Sequence, residues 1–364
     1  MPRIALIGVG AWGANYIGPL LRLDALRAIV DTGQDTLGAV AVPGHVARYV
    51  TLDDLLADGL PLDGVVIATA APTHHSLASR ALSAGLGVHV EKPVARTYAE
   101  AAELYRLAEH EAVTVMSGHL LLHHRGLDRM WRESRTGGLL SPLRYIRSTR
   151  IGHGRIRRDE DVMWSFAPHD LSAVLVLMGR MPATVRARKY RLRGTAVADL
   201  ATIDLDFPSL QAHASIHVSW LGPEREHRLL AYAEHGTGRF DDGASDSDGA
   251  AVYRVLPDDP GRIPAAPDAS VVATPPTRTR PLDREVELFC RCVAARITPP
   301  QDRCVTLAVM TLLEAADASS LTETEVAIVP NPDIDSSLFV PSSVWEEHLP
   351  ALAPLNDANA VDAT

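Results

Sequence analysis

Two residues in the chain carry proton chemistry in a setting that could use it, Lys92 and His169. Lys92 follows the apolar run Gly87-Val-His-Val90 and Glu91, and precedes Pro93. The proline biases Lys92 to an extended backbone, so it stands at the carboxyl end of a strand. Open α/β sheets bind their ligands at that edge. A cationic amine there stabilises a developing alkoxide, and a neutral one accepts its proton. A solvated lysine at a strand end is the plainer alternative. His169 follows Pro168, a residue suited to the first position of a helix. On that reading His169 and Asp170 lie in the first turn, where the positive end of the helix dipole lowers an imidazole's pKa. A neutral histidine near pH 7 accepts a hydroxyl proton. A histidine that only caps or packs fits the same residues.

The stretch Ile4-Ala-Leu-Ile-Gly-Val-Gly-Ala-Trp-Gly-Ala-Asn15 supplies what such a pair would need. Ile4 to Ile7 read as a buried strand, and Gly8, Gly10 and Gly13 follow in G-x-G-x-x-G spacing. Gly8 permits the tight turn, Gly10 lets the backbone approach a pyrophosphate, and Gly13 lets helix pack on strand. The helix that follows presents its N-terminus to the phosphates. Asp31 ends the next apolar run, 21 residues past Gly10, where an acidic side chain holds ribose hydroxyls. It would repel a 2′-phosphate, and no Arg or Lys follows closely, so NAD is expected rather than NADP. Ala11 and Trp12 inside the turn, Thr69 and His74 after the run 64–68, and Glu91 with Lys92 complete the candidate cofactor contacts.

The elements that would position these groups alternate strand and helix to about residue 120. Runs 4–7, 26–30, 64–68, 87–90 and 113–116 read as strands, with the apolar stretches 39–42 and 47–50 between them. Thr51 with Asp54, and Thr97 with Glu100, are helix-start pairs. Such alternation predicts parallel βαβ units in a doubly wound sheet. Beyond it come a helix 125–135, a strand 143–150, a polar loop 151–161 and a helix 164–179. Strand patterns at 183–191, 199–207, 211–220 and 227–234 then predict a large, mostly antiparallel sheet. Helices 282–296 and 304–319 close that second domain. The predicted division is 1–122, 123–340 and a polar tail 341–364 that wanders or docks on a neighbouring subunit.

With 364 residues, 46% apolar and 22% charged, the chain has the composition of an ordinary globular protein with room for two cores. A net charge of −10 without a basic run argues against nucleic acid. Cys290, Cys292 and Cys304 make no disulfide framework. No i, i+4 histidine pair beside a carboxylate stands out among His74, His75, His119, His123 and His124, so no metal is expected. The first strand begins by about residue 3, leaving no room for a signal peptide, and no apolar run approaches ~20 residues. The expectation is a cytoplasmic enzyme without a membrane segment.

Gly8-x-Gly10-x-Trp12-Gly13-x-Asn15, Glu91-Lys92-Pro93, Gly118-His119 and Trp164-x-x-Ala167-Pro168-His169-Asp170-Leu171 occur in that order. Together they resemble the glucose-fructose oxidoreductase / inositol dehydrogenase (Gfo/Idh/MocA) family, over about residues 1–330. The resemblance implies an N-terminal Rossmann domain and a C-terminal α/β domain with a large open sheet that commonly forms oligomer contacts, here a homodimer or homotetramer. It implies an active site between the domains, with the family's lysine at Lys92 and its histidine at His169. The stretch from Arg150 through Gly154, Arg157 and Asp159 to Trp164 resembles the nucleotide-sugar branch, which oxidises a 3-hydroxyl. There are four departures from the pattern, one of them a pair of residues. Ser165 stands where the family has an aspartate, with Asp170 as a partial substitute, and His123-His124 replace a Tyr-Asn pair. Gly152 and Asp161 replace asparagines. All four fall where the resemblance places the substrate, so the implied enzyme keeps the cofactor and takes a different sugar, nucleotide sugar or cyclitol. Arg150, Arg157 and Asp161 would read its hydroxyls or a phosphate, beside Ser165, Asp170 and His124; surface charges on a loop are the alternative. A reductase of a keto sugar or imine, a non-catalytic dinucleotide sensor, and an NAD-assisted glycosidase remain open.

Overall fold

The computed structural model describes residues 1–152, 161–242, 249–254, 280–346 and 349. The first domain alternates β1 (Ile4–Ile7), α1 (Ala14–Arg22), β2 (Leu26–Val30), α2 (Gln34–Ala39), β3 (Ala47–Tyr49), α3 (Leu52–Asp58), β4 (Gly64–Ile67), α4 (His74–Ser83), β5 (Gly87–Val90), α5 (Tyr98–His110) and β6 (Val115–Ser117). Its six strands run in the order β3-β2-β1-β4-β5-β6, every neighbour parallel. β1, β4 and β5 are buried at every residue, because helices cover both faces. The reversal of strand order falls between β1 and β4, so the turns after these strands open on one crevice. Thr51 and Asp54 form a full capping box on α3, and the Thr97 hydroxyl accepts the Glu100 N–H at the start of α5. The apolar stretch 39–42 is not a strand: α2 ends at Ala39, and residues 40–46 are irregular.

The second domain begins with α6 (Arg125–Glu133), β7 (Leu143–Ile151) and α7 (Val162–Met178). It continues through β8 (Thr184–Tyr190), β9 (Leu200–Phe207), β10 (Ala212–Ser219), β11 (Glu226–Ala233), β12 (Gly236–Asp241) and β13 (Ala250–Arg254). After α8 (Pro281–Ala295) and α9 (Pro300–Thr322), β14 (Val326–Ala327) adds an edge, and α10 (Ser342–Glu346) is the last described helix. The strands form one eight-stranded sheet, β13-β12-β11-β7-β10-β9-β8-β14, antiparallel except where β7 meets β10. Burial alternates along β9 and β10, so one face packs on α7 and α9 and the other stays open.

Three expectations change. Helix α8 does not close the second domain. Leu282, Val286, Phe289 and Val293 pack with Ile4, Leu6, Leu20 and Met116 of the first core. The start of the expected tail docks on its own chain. Trp345 and Leu349 join that same core, and the Arg291 guanidinium donates to the carbonyls of Glu346 (2.8 Å) and Leu349 (2.5 Å). Finally, among the described residues one helix has the length and composition to cross a membrane: α9, 23 residues with a mean hydropathy of 1.4 over its most apolar window. It packs against α5, α7 and β8, and its apolar residues from Val305 to Leu313 are buried. This is how the central helix of a folded core behaves.

Candidate active site

The glycine turn has the shape its spacing requires. Gly8 sits at φ +89°, and a Cβ on Gly13 would lie 1.9 Å from the Gly8 carbonyl oxygen. A Cβ on Gly10 would meet nothing within 4 Å, so that backbone faces open space. No side chain caps α1, whose positive end points the same way. Asp31 is anchored beside the turn, its carboxylate accepting from the N–H of Val9 (2.9 Å) and of Gly33 (2.8 Å). These residues fit a dinucleotide: Gly8, Gly10, Ala11, Trp12 and Gly13 would hold the pyrophosphate, and Asp31 the ribose.

At the carboxyl ends of β4 and β5 the chain gathers polar groups. The His74 ring lies between the carbonyls of Pro93 (2.7 Å) and Thr69 (3.0 Å), tying the two strand ends together. The Thr69 hydroxyl meets that of Thr73 at 2.7 Å. The buried Glu91 carboxylate accepts from the Trp12 indole, from the Tyr16 hydroxyl (2.6 Å) and from the Lys92 N–H (3.1 Å). Glu91 thus fixes Trp12, leaving the indole 45% exposed over the turn. Nothing in the local spacing announced Tyr16, which reaches Glu91 from the first turn of α1.

The structure brings the two proton-active residues together. Trp12, Thr69, His74, Glu91 and Lys92 of the first domain and His169 of the second line one cavity of about 150 Å³. The Lys92 ammonium donates to the Ser165 carbonyl at 2.6 Å, one helical turn before His169. Sharing Ala71 with this cavity, a groove of about 310 Å³ runs between the domains past Pro93, Arg96, Asp161, Trp164 and Arg191.

His169 does not sit in the first turn of a helix. α7 begins at Val162, so Pro168 is inside it and the dipole explanation fails. The imidazole is still held well below its ordinary pKa, by burial first and then by the cations of Lys92 and Arg150 nearby. Pro168 removes one rung of the helical ladder and crowds the preceding turn, the turn into which Lys92 reaches.

The remaining expected substrate residues separate. Asp170 does not stand in for the missing carboxylate beside His169. Its oxygens accept from the Ser148 hydroxyl (2.6 Å) and Arg150 Nε (2.8 Å), all three buried. Arg150 is not a loop charge. It lies on β7 and also reaches Asp242 (3.2 Å) and His227 Nδ1 (3.0 Å). Asp242 and His227 come from far along the chain, with no spacing to reveal them. Asp161 caps α7 through the N–H groups of Met163 and Trp164 and pairs with Lys189 at 2.5 Å. His124 caps α6 by accepting the Gly126 N–H, its ring edge-on to Phe240, and does not line the cavity with His169. Arg157 lies outside the described residues.

Residues 2–119 match an oxidoreductase family with an NAD-binding Rossmann fold, GFO/IDH/MocA, and residues 148–239 match a C-terminal domain of the same family. The chain belongs to the GFO/IDH/MocA family. A crystal structure from Magnetospirillum magnetotacticum MS-1, described only as that of an oxidoreductase, is 30% identical over 86% of this chain and 99% of its own, with a TM-score of 0.71. UDP-N-acetylglucosamine 3-dehydrogenase of Acidithiobacillus ferrooxidans is 29% identical over 51% of this chain and 57% of its own. D-xylose 1-dehydrogenase (NADP(+)) 2 of Haloferax volcanii is 26% identical over 89% of this chain and 98% of its own. The chain spans about half the length of several other curated relatives it matches.

Proposed function

We propose that the chain is an NAD-dependent dehydrogenase of a ring secondary alcohol, acting on a sugar, nucleotide sugar or cyclitol, with C3 of a nucleotide sugar as the leading position. One observation carries this reading: the Lys92 amine and the His169 imidazole line one cavity with Trp12 and Thr69 of the dinucleotide crevice. NAD, when bound, supplies the hydride acceptor. Lys92 stabilises the negative charge that grows on the alcohol oxygen. His169, neutral because its cation is disfavoured by burial and by Lys92, takes the hydroxyl proton. The groove past Arg96 and Arg191 takes the rest of the sugar or its anionic substituent. Asp31 favours NAD over NADP, since a 2′-phosphate would face a carboxylate. The similarity to a UDP-N-acetylglucosamine 3-dehydrogenase supports that substrate class. The open face of the eight-stranded sheet supports a homodimer or homotetramer.

The test is NADH formation at 340 nm with UDP-N-acetylglucosamine, its uronate, free aldoses and inositols. Turnover of one of them, lost in Lys92→Ala and His169→Ala while both variants still bind NAD, is the expected result. Normal turnover in either variant removes that residue from the chemistry. NAD binding without turnover of any alcohol would favour a sensor.

A further inference from the structure

Oxidising a CH–OH group frees a hydroxyl proton as well as a hydride, and the proton is the chain's to carry away. His169 is a poor place to keep it: its cation is disfavoured, and its Nδ1 is shut from solvent without a hydrogen-bond partner. On the neighbouring segment His119 presents the same feature, a buried, unpartnered Nδ1. His119 is near enough for its charge to bear on His169, and α7 packs on the segment 120–123 that follows His119. Buried imidazole nitrogens need partners, and one internal water between the rings would serve both.

From His119 a continuous chain of hydrogen bonds leads away from the cavity. His119 Nε2 is 3.0 Å from the Thr306 hydroxyl, and that hydroxyl is 2.9 Å from the Tyr105 hydroxyl. The phenol donates its single hydrogen to the Asp302 carboxylate. Thr306 therefore donates to the phenol oxygen and accepts from His119 Nε2–H, so every donor points toward Asp302. His119, Thr306 and Tyr105 are buried, and Asp302 keeps 8% of its surface accessible.

We propose that His119, Thr306, Tyr105 and Asp302 form a proton wire that drains the active-site histidine. The inference rests on the dehydrogenase reading above. In one passage the Asp302 carboxylate takes the phenol proton, Tyr105 takes that of Thr306, and Thr306 takes that of His119 Nε2. His119 takes a proton at Nδ1 from the bridging water, which takes one from His169. No charge is created or lost: one proton leaves His169 and one O–H bond forms on Asp302. Reduction of a ketone would run the sequence backwards. The charge balance along the route suits it. Burial holds His119 down at about 4, so it waits neutral. Burial also lifts Asp302 to about 7, against the hydrogen bonds from Tyr105 and the Ser117 N–H, so it holds and releases a proton near neutrality. His89 and Glu285 face Asp302 from the first sheet and from α8, and His89 faces His119.

Thr306→Val cuts the wire at nearly constant volume, Thr306→Ser keeps it, and Tyr105→Phe cuts it one step further on. With a turned-over alcohol, we expect Thr306→Val and Tyr105→Phe each to lower kcat about tenfold or more. The double variant should be no slower than the slower single one, Thr306→Ser should restore the rate, and KM for NAD should stay unchanged. Additive losses, or equal rates in Thr306→Val and Thr306→Ser, overturn the wire. Infrared titration of the protein decides independently of turnover. A carboxyl C=O stretch that titrates near neutral pH, is missing from Asp302→Asn and shifts in Thr306→Val supports the wire; its absence overturns it. If no alcohol is oxidised but that band is present, the dehydrogenase reading fails and the hydrogen-bonded carboxyl stands.

Discussion

The two halves of the crevice are made differently. On the first domain's side the ligand surface is mostly backbone: Gly8 at positive φ, Gly10 facing open space, the uncapped end of α1. On the second domain's side it is mostly side chains, His169, Asp161, Trp164 and Arg191, and the helix bearing His169 is braced from behind by buried charge: Asp170 by Ser148 and Arg150, and Arg150 by Asp242 and His227. A backbone surface depends on a few positions where a side chain must be absent, and it serves the same pyrophosphate whatever the substrate. A side-chain surface depends on long-range charge pairs and can be retuned for another substrate without moving the first.

The largest expected effect lies where the halves meet. Lys92→Ala and His169→Ala should each lower kcat by about 100-fold to 10,000-fold. NAD affinity, measured by fluorescence titration, should change little, because the cradle is elsewhere. If either variant loses NAD binding to the same degree, the two surfaces are not separable.

The side-chain half should break by charge. Asp170→Asn strips Arg150 of its closest carboxylate inside the protein, and the expected loss is about 3 kcal/mol or more in urea unfolding. An unchanged midpoint would mean that Asp242 alone suffices for Arg150. The backbone half should break by volume, and only at one of two glycines. Gly13→Ala drives a methyl into the Gly8 carbonyl and should destabilise the chain by about 1–3 kcal/mol. Gly10→Ala meets no protein atom, so it should leave unfolding unchanged and weaken NAD binding alone. Equal unfolding midpoints for the two variants would refute that assignment of roles.

Taken one histidine and one pH unit at a time, the smallest effect is on pH. His119, His123 and His169 all titrate below a free imidazole because burial disfavours their cations. Below about pH 6.5 the unfolded chain therefore binds more protons than the folded one. Stability then falls by about 1.4 kcal/mol per pH unit for each histidine until its folded-state pKa is reached. Asp302, lifted to about 7, acts in the opposite sense, since the folded chain takes that proton first as pH falls. The net expectation is acid lability below pH 6.5 in denaturant titrations. His169→Gln should flatten the slope by about 1.4 kcal/mol per unit; an unaltered slope would mean that its imidazole is not shielded.

The same contrast explains what could be read from residue order. The glycine turn, Asp31, the strand ending at Lys92 and both helix-start pairs are local patterns, and each depends on backbone geometry within a few residues. Strands β7 to β11 were legible from alternation, within a residue or two of their ends. β12, β13 and β14 were not, because they are short and lie beside glycine and loop segments. The helix carrying His169 was legible, but not the place of Pro168 within it, since Asp161 caps the helix seven residues earlier. The roles of Arg150 and Asp170 were hidden for a further reason. Their long-range partners are set by the pairing of β11 with β7 and of β12 with β11, which no spacing encodes.

The return of α8 to the first core has a consequence for anyone who would recombine these domains. The polypeptide leaves the dinucleotide-binding unit near residue 120 and re-enters it at Pro281. A graft that stops at the first exit would carry an unsheathed flank where Phe289 and Val286 belong, and would aggregate before its crevice could be assayed. The transferable module is therefore discontinuous, and its several covalent links to the second domain, near residue 120, before Pro281, after Ala295 and before Trp345, restrict how far the two can swing apart.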